Sequence, residues 1–218
     1  MNEWALRAEI ARVCRRLYER GLIAGQDGNV SARLGDDALL VTPAGLSKVD
    51  VTPESVLLVS LDGSPRGGGF PEARPSSELG MHLRIYARRP DVAAVVHAHP
   101  PVATGFGVAG EDLLAGVLPE IIFLTGGAPL VPYATPGTPA VADAMEPYLD
   151  RHDAWLLANH GVTTVGPSLT VAHQRMESLE HAARILLTAR SLGRVNELSA
   201  AQVAELTAAR AAGRERSA

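Results

Sequence analysis

The sequence predicts an α/β/α sandwich with a central, mostly antiparallel sheet. Short β-forming runs at 30–34, 38–42 and 56–61 are joined by turns rich in glycine, proline and aspartate, as in antiparallel strands. Longer segments with apolar residues at helical spacing alternate with further short apolar runs. The 218 residues, 46% of them apolar and 20% charged, favour a single globular domain over 1–212 with a loose tail at 213–218.

The helices are predicted from apolar residues three or four positions apart and from their end signals. In the first, over residues 3–20, a stripe of Leu6, Ile10, Val13 and Leu17 ends before Gly21. The other predicted helices are 76–89, 139–149, 169–192 and 199–212. The later predicted strands are 92–99, 121–124, 154–158 and 162–165. The segment 62–71, with four glycines and two prolines, is predicted to be an exposed connection.

Charge and composition disfavour several kinds of partner and compartment. The net charge is −4 and no basic run exceeds two residues, which disfavours nucleic acid and anionic membranes as partners. No apolar stretch approaches the roughly 18 residues of a spanning helix, and the start of the chain lacks a secretory pattern. We therefore expect a cytoplasmic protein. Cys14 is the only cysteine and shares a helical face with Ile10 and Leu17, so it is predicted to be a small core residue.

Three histidines suggest a metal site. His97 and His99 stand two positions apart on a predicted strand, so both imidazoles point to the same face. Taken alone, such a pair could equally be two ordinary strand histidines. His160 favours a metal, because it lies at a turn where one apolar strand ends and the next begins. Three neutral imidazoles with an open fourth position are typical of a catalytic zinc or similar cation, with Zn–N distances of roughly 2.0–2.1 Å.

A second set of metal-type residues is weaker. His173, Glu177 and His181 recur every four positions on a predicted helix. Such a run is more often a polar stripe that faces solvent or another subunit than a metal site. A closed structural zinc site is also disfavoured, because the chain has only one thiol.

The residues before the helix at 76–89 allow two interpretations. Ser76 could simply cap the helix. Alternatively, Ser76 and Ser77 could bind an anion at the helix N-terminus while Glu78 reaches toward the metal as a general base. Gly28 and Asn29 carry the same ambiguity, between a plain turn and a backbone nest around a phosphate.

Six short motifs follow one another in an order that is itself informative. They are GNVSAR at 28–33, VTPAG at 41–45, PSSE at 75–78, VVHAH at 95–99, PYATPG at 132–137 and NHG at 159–161. Together they resemble the class II aldolase/adducin family, and more narrowly its L-fuculose-1-phosphate aldolase branch. The resemblance covers roughly residues 5 to 190.

The resemblance implies a role for each matching residue. His97, His99 and His160 would be ligands of Zn²⁺ or of another divalent cation such as Mn²⁺, Co²⁺ or Fe²⁺. Glu78 would be the catalytic acid/base and could also ligate the resting metal. The phosphate of a small sugar phosphate would be held by three dipeptides, Gly28-Asn29, Ala44-Gly45 and Ser76-Ser77. The family's enzymes are commonly cyclic homotetramers with active sites between subunits, and a homotetramer is expected here.

The leading functional expectation is a zinc-dependent aldolase that cleaves a ketose 1-phosphate to dihydroxyacetone phosphate and a short aldehyde. The alternatives are an epimerase, decarboxylase or dehydratase of a phosphorylated sugar or sugar acid with the same pocket, or a non-catalytic adducin-like binding module.

Two departures from the aldolase pattern matter. Ala44 stands where a hydroxyl residue is common, and Phe123 stands where these aldolases carry a tyrosine that donates a proton to the aldehyde oxygen. No tyrosine follows Tyr148, so Tyr133, Tyr148 or an ordered water would have to replace the donor.

Overall fold

The computed structural model describes residues 2–113 and 116–215, and it confirms the predicted fold class. An eight-stranded sheet has the order β4-β3-β2-β1-β5-β8-β7-β6, and all its neighbours are antiparallel except the pair β6–β7. The strands are β1 (Asn29–Leu34), β2 (Ala38–Val41), β3 (Leu57–Ser60), β4 (Pro65–Gly68), β5 (Ala94–Ala98), β6 (Leu130–Val131), β7 (Ala154–Leu157) and β8 (Gly161–Gly166). The helices are α1 (Glu3–Glu19), α2 (Leu79–Arg88), α3 (Pro101–Val108), α4 (Pro119–Thr125), α5 (Pro139–Met145), α6 (Leu169–Ser191) and α7 (Ala200–Glu215).

The sheet separates two apolar cores. On one face, α1, α3 and α6 contribute to a large core, in which Ile10 and Cys14 are fully buried. On the other face, α2 and α5 cover a smaller core. Alternate residues of β5 face opposite cores: Val96 lies in the first and Val95 in the second. His97 therefore points to the same side as Val95, toward α2.

Two details near the termini of the chain bear on the predictions. Cys14 is a core residue, as predicted, and burial raises the pKa of its thiol to about 12. At the other end, α7 continues through Glu215, beyond the predicted helix end at 212, and residues 216–218 of the predicted tail lie outside the described residues. None of the helices in the described ranges is both long enough and apolar enough to cross a membrane.

The segment predicted as a strand at 121–124 is helical, and that prediction was wrong. Pro119 opens α4 in the first turn, where a backbone N–H has no acceptor within the helix and the missing N–H of proline is tolerated. Gly126 ends the helix with a left-handed φ of 77°. A short apolar run fits a strand or a buried helix equally well by periodicity, and here the terminal signals decide. The two-residue strand β6, which follows this helix, was not predicted from the sequence.

Other boundaries differ by a few residues. The helix predicted at 76–89 begins only at Leu79, so Ser76 is not its N-cap, and Glu78 occupies that position without a side-chain capping bond. The helix predicted at 139–149 is α up to Met145 and continues as a 3₁₀ turn over Glu146–Tyr148. The exposed connection at 62–71 contains the edge strand β4, whose four residues are all exposed.

Candidate active site

Strand pairing brings the three histidines together. His97 lies near the end of β5, and His99 follows the strand. His160 lies in the tight turn between β7 and β8. Since β5 and β8 are antiparallel neighbours with His97 opposite Thr163, the end of β5 lies beside the start of β8. The three ring centroids are 4.8–5.2 Å apart, and one potential ligand atom from each residue lies within 4.8 Å of the others.

The turn that carries His160 requires two unusual backbone positions. Asn159 has a φ of 55°, a left-handed conformation that asparagine tolerates better than most residues. At Gly161, a Cβ atom would lie 2.4 Å from Cδ2 of His99 and 2.7 Å from the Ala98 carbonyl oxygen. Only glycine therefore allows the His99 ring to pack against this turn.

Hydrogen bonds fix the tautomer of His97. Its Nδ1 lies 3.0 Å from the Val162 carbonyl oxygen and 3.1 Å from Oγ1 of Thr163. A carbonyl oxygen can only accept, so Nδ1 carries the proton and Nε2 presents a lone pair. Burial lowers the pKa of His97 to about 3, although the Glu78 carboxylate opposes this effect. Burial also lowers the pKa of His99, whose Nδ1 lies 3.5 Å from Oδ2 of Asp27.

Glu78 completes the cluster. Its Oε2 lies 3.3 Å from Nε2 of His97, and its Oε1 lies 3.1 Å from Nε2 of His160. Burial raises the pKa of Glu78, but His97, His160 and the Asn29 amide together outweigh burial and hold the pKa below its ordinary value. The carboxylate is therefore ionised at neutral pH.

These donor atoms fit a divalent cation. The Nε2 atoms of His97 and His99 are 3.2 Å apart, yet the His97 atom can only accept a hydrogen bond. Oε1 of Glu78 is buried and has no hydrogen-bond donor with acceptable geometry, despite its closeness to His160. A bound cation would accept both the Nε2 lone pair of His97 and the unpartnered oxygen of Glu78. Three imidazoles that leave further positions open are the donor set of a catalytic rather than a structural site.

Asn29 links Glu78 to the predicted phosphate-binding segments. Its Nδ2 donates to Oε2 of Glu78 at 2.9 Å and to Oγ of Ser76 at 3.3 Å. The preceding Gly28 has a φ of 72°, and a Cβ atom there would lie 2.6 Å from the His97 carbonyl oxygen. Glycine at this position thus lets the turn approach β5 closely.

The structure brings the other two predicted phosphate-binding dipeptides next to this turn. Pro43 and Pro75 form an isolated β-bridge, so the segments that contain Ala44-Gly45 and Ser76-Ser77 are neighbours. Ser76 Oγ accepts the backbone N–H of Glu78 at 3.2 Å. The Ala44 N–H donates to the Arg74 carbonyl oxygen at 2.8 Å, so this N–H is already paired.

The remaining sequence candidates lie outside the histidine cluster. His173 is buried and His181 is exposed, and among the described residues only His97, His99 and His160 form a metal-type group. Tyr148 packs against the smaller core. Tyr133 is 62% exposed and follows β6, where Val131 accepts a hydrogen bond from Ala158.

Two cavities differ in their relation to the histidines. A cavity of about 210 Å³ adjoins Glu78 and is also lined by Ser77 and Gly137. A second cavity, of about 650 Å³, is lined by Gly166 and Val92, at the opposite end of the β5–β8 pair from His97. The smaller cavity therefore adjoins the carboxylate of the histidine cluster, whereas the larger one lies away from it.

Two contributors to the site were not singled out from the sequence. Thr163 holds His97, and Asp27 lies beside His99. Asp27 lies in the same Gly-rich loop as Gly28, which was a visible signal. Thr163 had no such signal, because the register between β5 and β8 cannot be read from the sequence.

Known proteins of one family resemble this chain in sequence and in fold. The model of the family described as "Class II Aldolase and Adducin N-terminal domain" matches residues 8–187. A 3-oxo-tetronate 4-phosphate decarboxylase of Pectobacterium atrosepticum is 32% identical over 94% of both chains. An L-fuculose phosphate aldolase of Methanococcus maripaludis is 34% identical over 81% of this chain and 93% of its own. The crystal structure of YgbL from Klebsiella pneumoniae matches with a TM-score of 0.87 and 33% identity, over 94% of this chain and 99% of its own. The chain belongs to the class II aldolase and adducin family.

Proposed function

We propose that this protein is a metal-dependent decarboxylase of a phosphorylated 3-oxo sugar acid, similar to 3-oxo-tetronate 4-phosphate. The observation that carries the proposal is the similarity to the Pectobacterium decarboxylase, which extends over 94% of both chains. The similarity to the Methanococcus aldolase covers a smaller share of this chain, 81%. The aldolase expected from the sequence becomes the second candidate, and decarboxylation was among the alternatives.

The two reactions share their chemistry up to the last step. In a 3-oxo-tetronate 4-phosphate, the bond between carbon 1 and carbon 2 breaks and carbon dioxide leaves. The electron pair of that bond moves toward the carbonyl oxygen on carbon 3, and carbon 2 then takes up a proton to give dihydroxyacetone phosphate. Aldol cleavage of a ketose 1-phosphate leaves the same three-carbon skeleton. One pocket can therefore support either reaction, and members of one family can differ in the group that departs.

His97, His99 and His160 would hold the metal. The ion would supply Lewis-acid stabilisation of the negative charge that builds up on the substrate oxygens. His97 keeps its Nε2 directed into the site because Val162 and Thr163 bind its Nδ1. Glu78, oriented by Asn29, is the carboxylate nearest the imidazoles. It would take up a proton from solvent and pass that proton to carbon 2 after carbon dioxide has left.

The replacement of the expected proton donor on the aldehyde side gives a second reason to favour decarboxylation. An aldolase must protonate or deprotonate an aldehyde oxygen, and the residue at the expected donor position is Phe123. Loss of carbon dioxide creates no alkoxide and needs no such donor. Tyr133 remains the donor candidate if the protein is an aldolase, because it lies in an exposed loop just beyond the strand beside the His160 turn.

Product analysis tests the proposal. We expect metal-loaded protein to release carbon dioxide and dihydroxyacetone phosphate from 3-oxo-tetronate 4-phosphate. We expect kcat/KM for this substrate to exceed that for L-fuculose 1-phosphate and related ketose 1-phosphates by a factor on the order of 10² or more. The loss of a general acid alone lowers the rate of aldol cleavage by about this factor. A preference for the ketose 1-phosphates, with release of an aldehyde, would establish the aldolase instead.

We also propose a homotetramer with active sites between subunits. The proposal rests on the family's resemblance and on exposed apolar side chains, such as Phe123 and Tyr133, that a neighbouring subunit would cover. Sedimentation of a fully active monomer at assay concentration would contradict it.

A further inference from the structure

Lys48 is the only lysine in the chain, and its side chain is buried, with 2% of the residue exposed. All the other basic residues are arginines, whose guanidinium groups are suited to exposed or paired positions. A single buried ammonium group in such a sequence therefore needs a specific explanation.

The ammonium group contacts only neutral acceptors. Its Nζ donates to the carbonyl oxygen of Gln26 at 2.8 Å and to that of Leu46 at 3.2 Å. No carboxylate of the described residues makes an ion pair with it within 4.0 Å. A buried cation with no carboxylate in direct contact costs free energy, which a bound anion would offset.

The two carbonyl groups belong to two of the predicted phosphate-binding segments. Gln26 lies two residues before Gly28, and Leu46 directly follows Gly45. Lys48 therefore joins the first segment to the second from the protein interior. The second is joined to the third by the bridge between Pro43 and Pro75, and the first to the third by the bond from Asn29 to Ser76. The three segments form a closed, mutually tied set.

This set has hydrogen-bonding groups but lacks charge of its own. All six predicted phosphate-binding residues are neutral: Gly28, Asn29, Ala44, Gly45, Ser76 and Ser77. A phosphate monoester carries close to two negative charges at neutral pH. Hydrogen bonds position such a group, but a nearby positive charge in a medium of low dielectric constant contributes strongly to its affinity.

We propose that Lys48 is the buried electrostatic partner of the substrate phosphate, a positioning residue that ties two phosphate-binding loops together and stabilises the dianion through them. The inference rests on the proposed function, because it assumes a phosphorylated substrate. Burial lowers the pKa of Lys48, an effect that Asp27 opposes, and a bound dianion is expected to raise this pKa.

The single lysine makes a direct spectroscopic test possible. Protein labelled with ¹⁵N only at the lysine side chain gives one ammonium resonance. We expect inorganic phosphate to shift this resonance saturably and to raise the pKa of Lys48, whereas uncharged dihydroxyacetone at the same concentration does not shift it. Phosphate binding measured by calorimetry without any change in the resonance would overturn the inference. So would the absence of saturable phosphate binding.

Two variants separate charge from loop anchoring. Lys48→Met removes the ammonium while keeping most of the apolar stem, and Lys48→Arg keeps the charge. We expect Lys48→Met to raise KM and the Kd for inorganic phosphate by about tenfold or more, with kcat within about threefold and metal content unchanged. Lys48→Arg is expected to retain more phosphate affinity. Arg15→Met, a charge removal on the exposed side of α1, is the matched control and is expected to change neither constant.

The outcomes distinguish this inference from the proposed function. If Lys48→Met lowered kcat as much as it weakened binding, and Lys48→Arg were equally impaired, Lys48 would be only a structural anchor. If the ammonium resonance responded to phosphate but no decarboxylation occurred, the proposed function would fail while the role of Lys48 stood. If Lys48→Met decarboxylated the substrate with an unchanged KM, the role of Lys48 would fail while the proposed function stood. Should Lys48→Met not fold, the ammonium resonance of the unmodified protein still shows whether Lys48 responds to phosphate.

Discussion

Replacing His97 by asparagine is expected to remove the metal and to lower turnover by a factor on the order of 10³, because Lewis-acid stabilisation contributes several kcal/mol to such reactions. The asparagine amide can still donate to the Val162 carbonyl oxygen near the former Nδ1, but it places no lone pair where Nε2 stood. Elemental analysis after dialysis gives the metal content per chain, and the decarboxylation assay gives the rate.

His181→Asn is the matched control for this substitution. His181 is exposed on α6 and belongs to the other histidine-containing stripe of the sequence. The His181→Asn substitution is expected to leave metal content and turnover unchanged. Loss of metal from His181→Asn, with retention of metal in His97→Asn, would show that the metal binds at α6.

Glu78→Gln is expected to lower turnover by a factor on the order of 10² or more while leaving metal content and phosphate affinity nearly unchanged. The amide keeps the shape of the side chain and can still accept from Nδ2 of Asn29, but it cannot carry a proton. The most specific measurement is the exchange of the α-protons of dihydroxyacetone phosphate in D₂O, which follows proton transfer at carbon independently of the bond that breaks.

Glu205→Gln, an exposed change on α7, is the control for Glu78→Gln and is expected to exchange protons at the unmodified rate. Exchange at a similar rate in Glu78→Gln would assign proton transfer to another group. Loss of metal in that variant would instead show that Glu78 acts chiefly as a ligand.

The sequence predicted the features of the fold that rest on local periodicity. The alternation in β5 and the apolar stripe of α1 each require burial of one face, and the structure buries those faces. The segment 121–124 was misassigned because a run of four apolar residues has no distinguishing period. Its flanking Pro119 and Gly126 carried the correct signal for a helix.

The site was predictable only in part. Residues within one motif, such as His97 and His99, could be placed together from strand geometry alone. The approach of His160 depends on the antiparallel pairing of β5 with β8, and the bond from Asn29 to Glu78 joins residues 49 positions apart. These long-range contacts are set by tertiary packing, so before the structure only the family resemblance could suggest them.

The choice of reaction was the least predictable property. Aldol cleavage and decarboxylation of related substrates would use the same imidazoles, carboxylate and predicted phosphate-binding segments, and they differ in the departing group. The sequence motifs resemble those of the L-fuculose-1-phosphate aldolase branch, which is why the aldolase was the leading expectation. The extent of similarity to the decarboxylase and the phenylalanine at position 123 now favour the alternative.

An anomalous difference map from crystals of the purified protein, recorded at the absorption edge of the metal found by elemental analysis, tests the metal centre most directly. One strong peak per chain is expected, bonded to Nε2 of His97, His99 and His160 and lying beside the carboxylate of Glu78. Imidazoles that point into different regions, or a metal-loaded protein with its peak elsewhere, would contradict a metal centre at these residues.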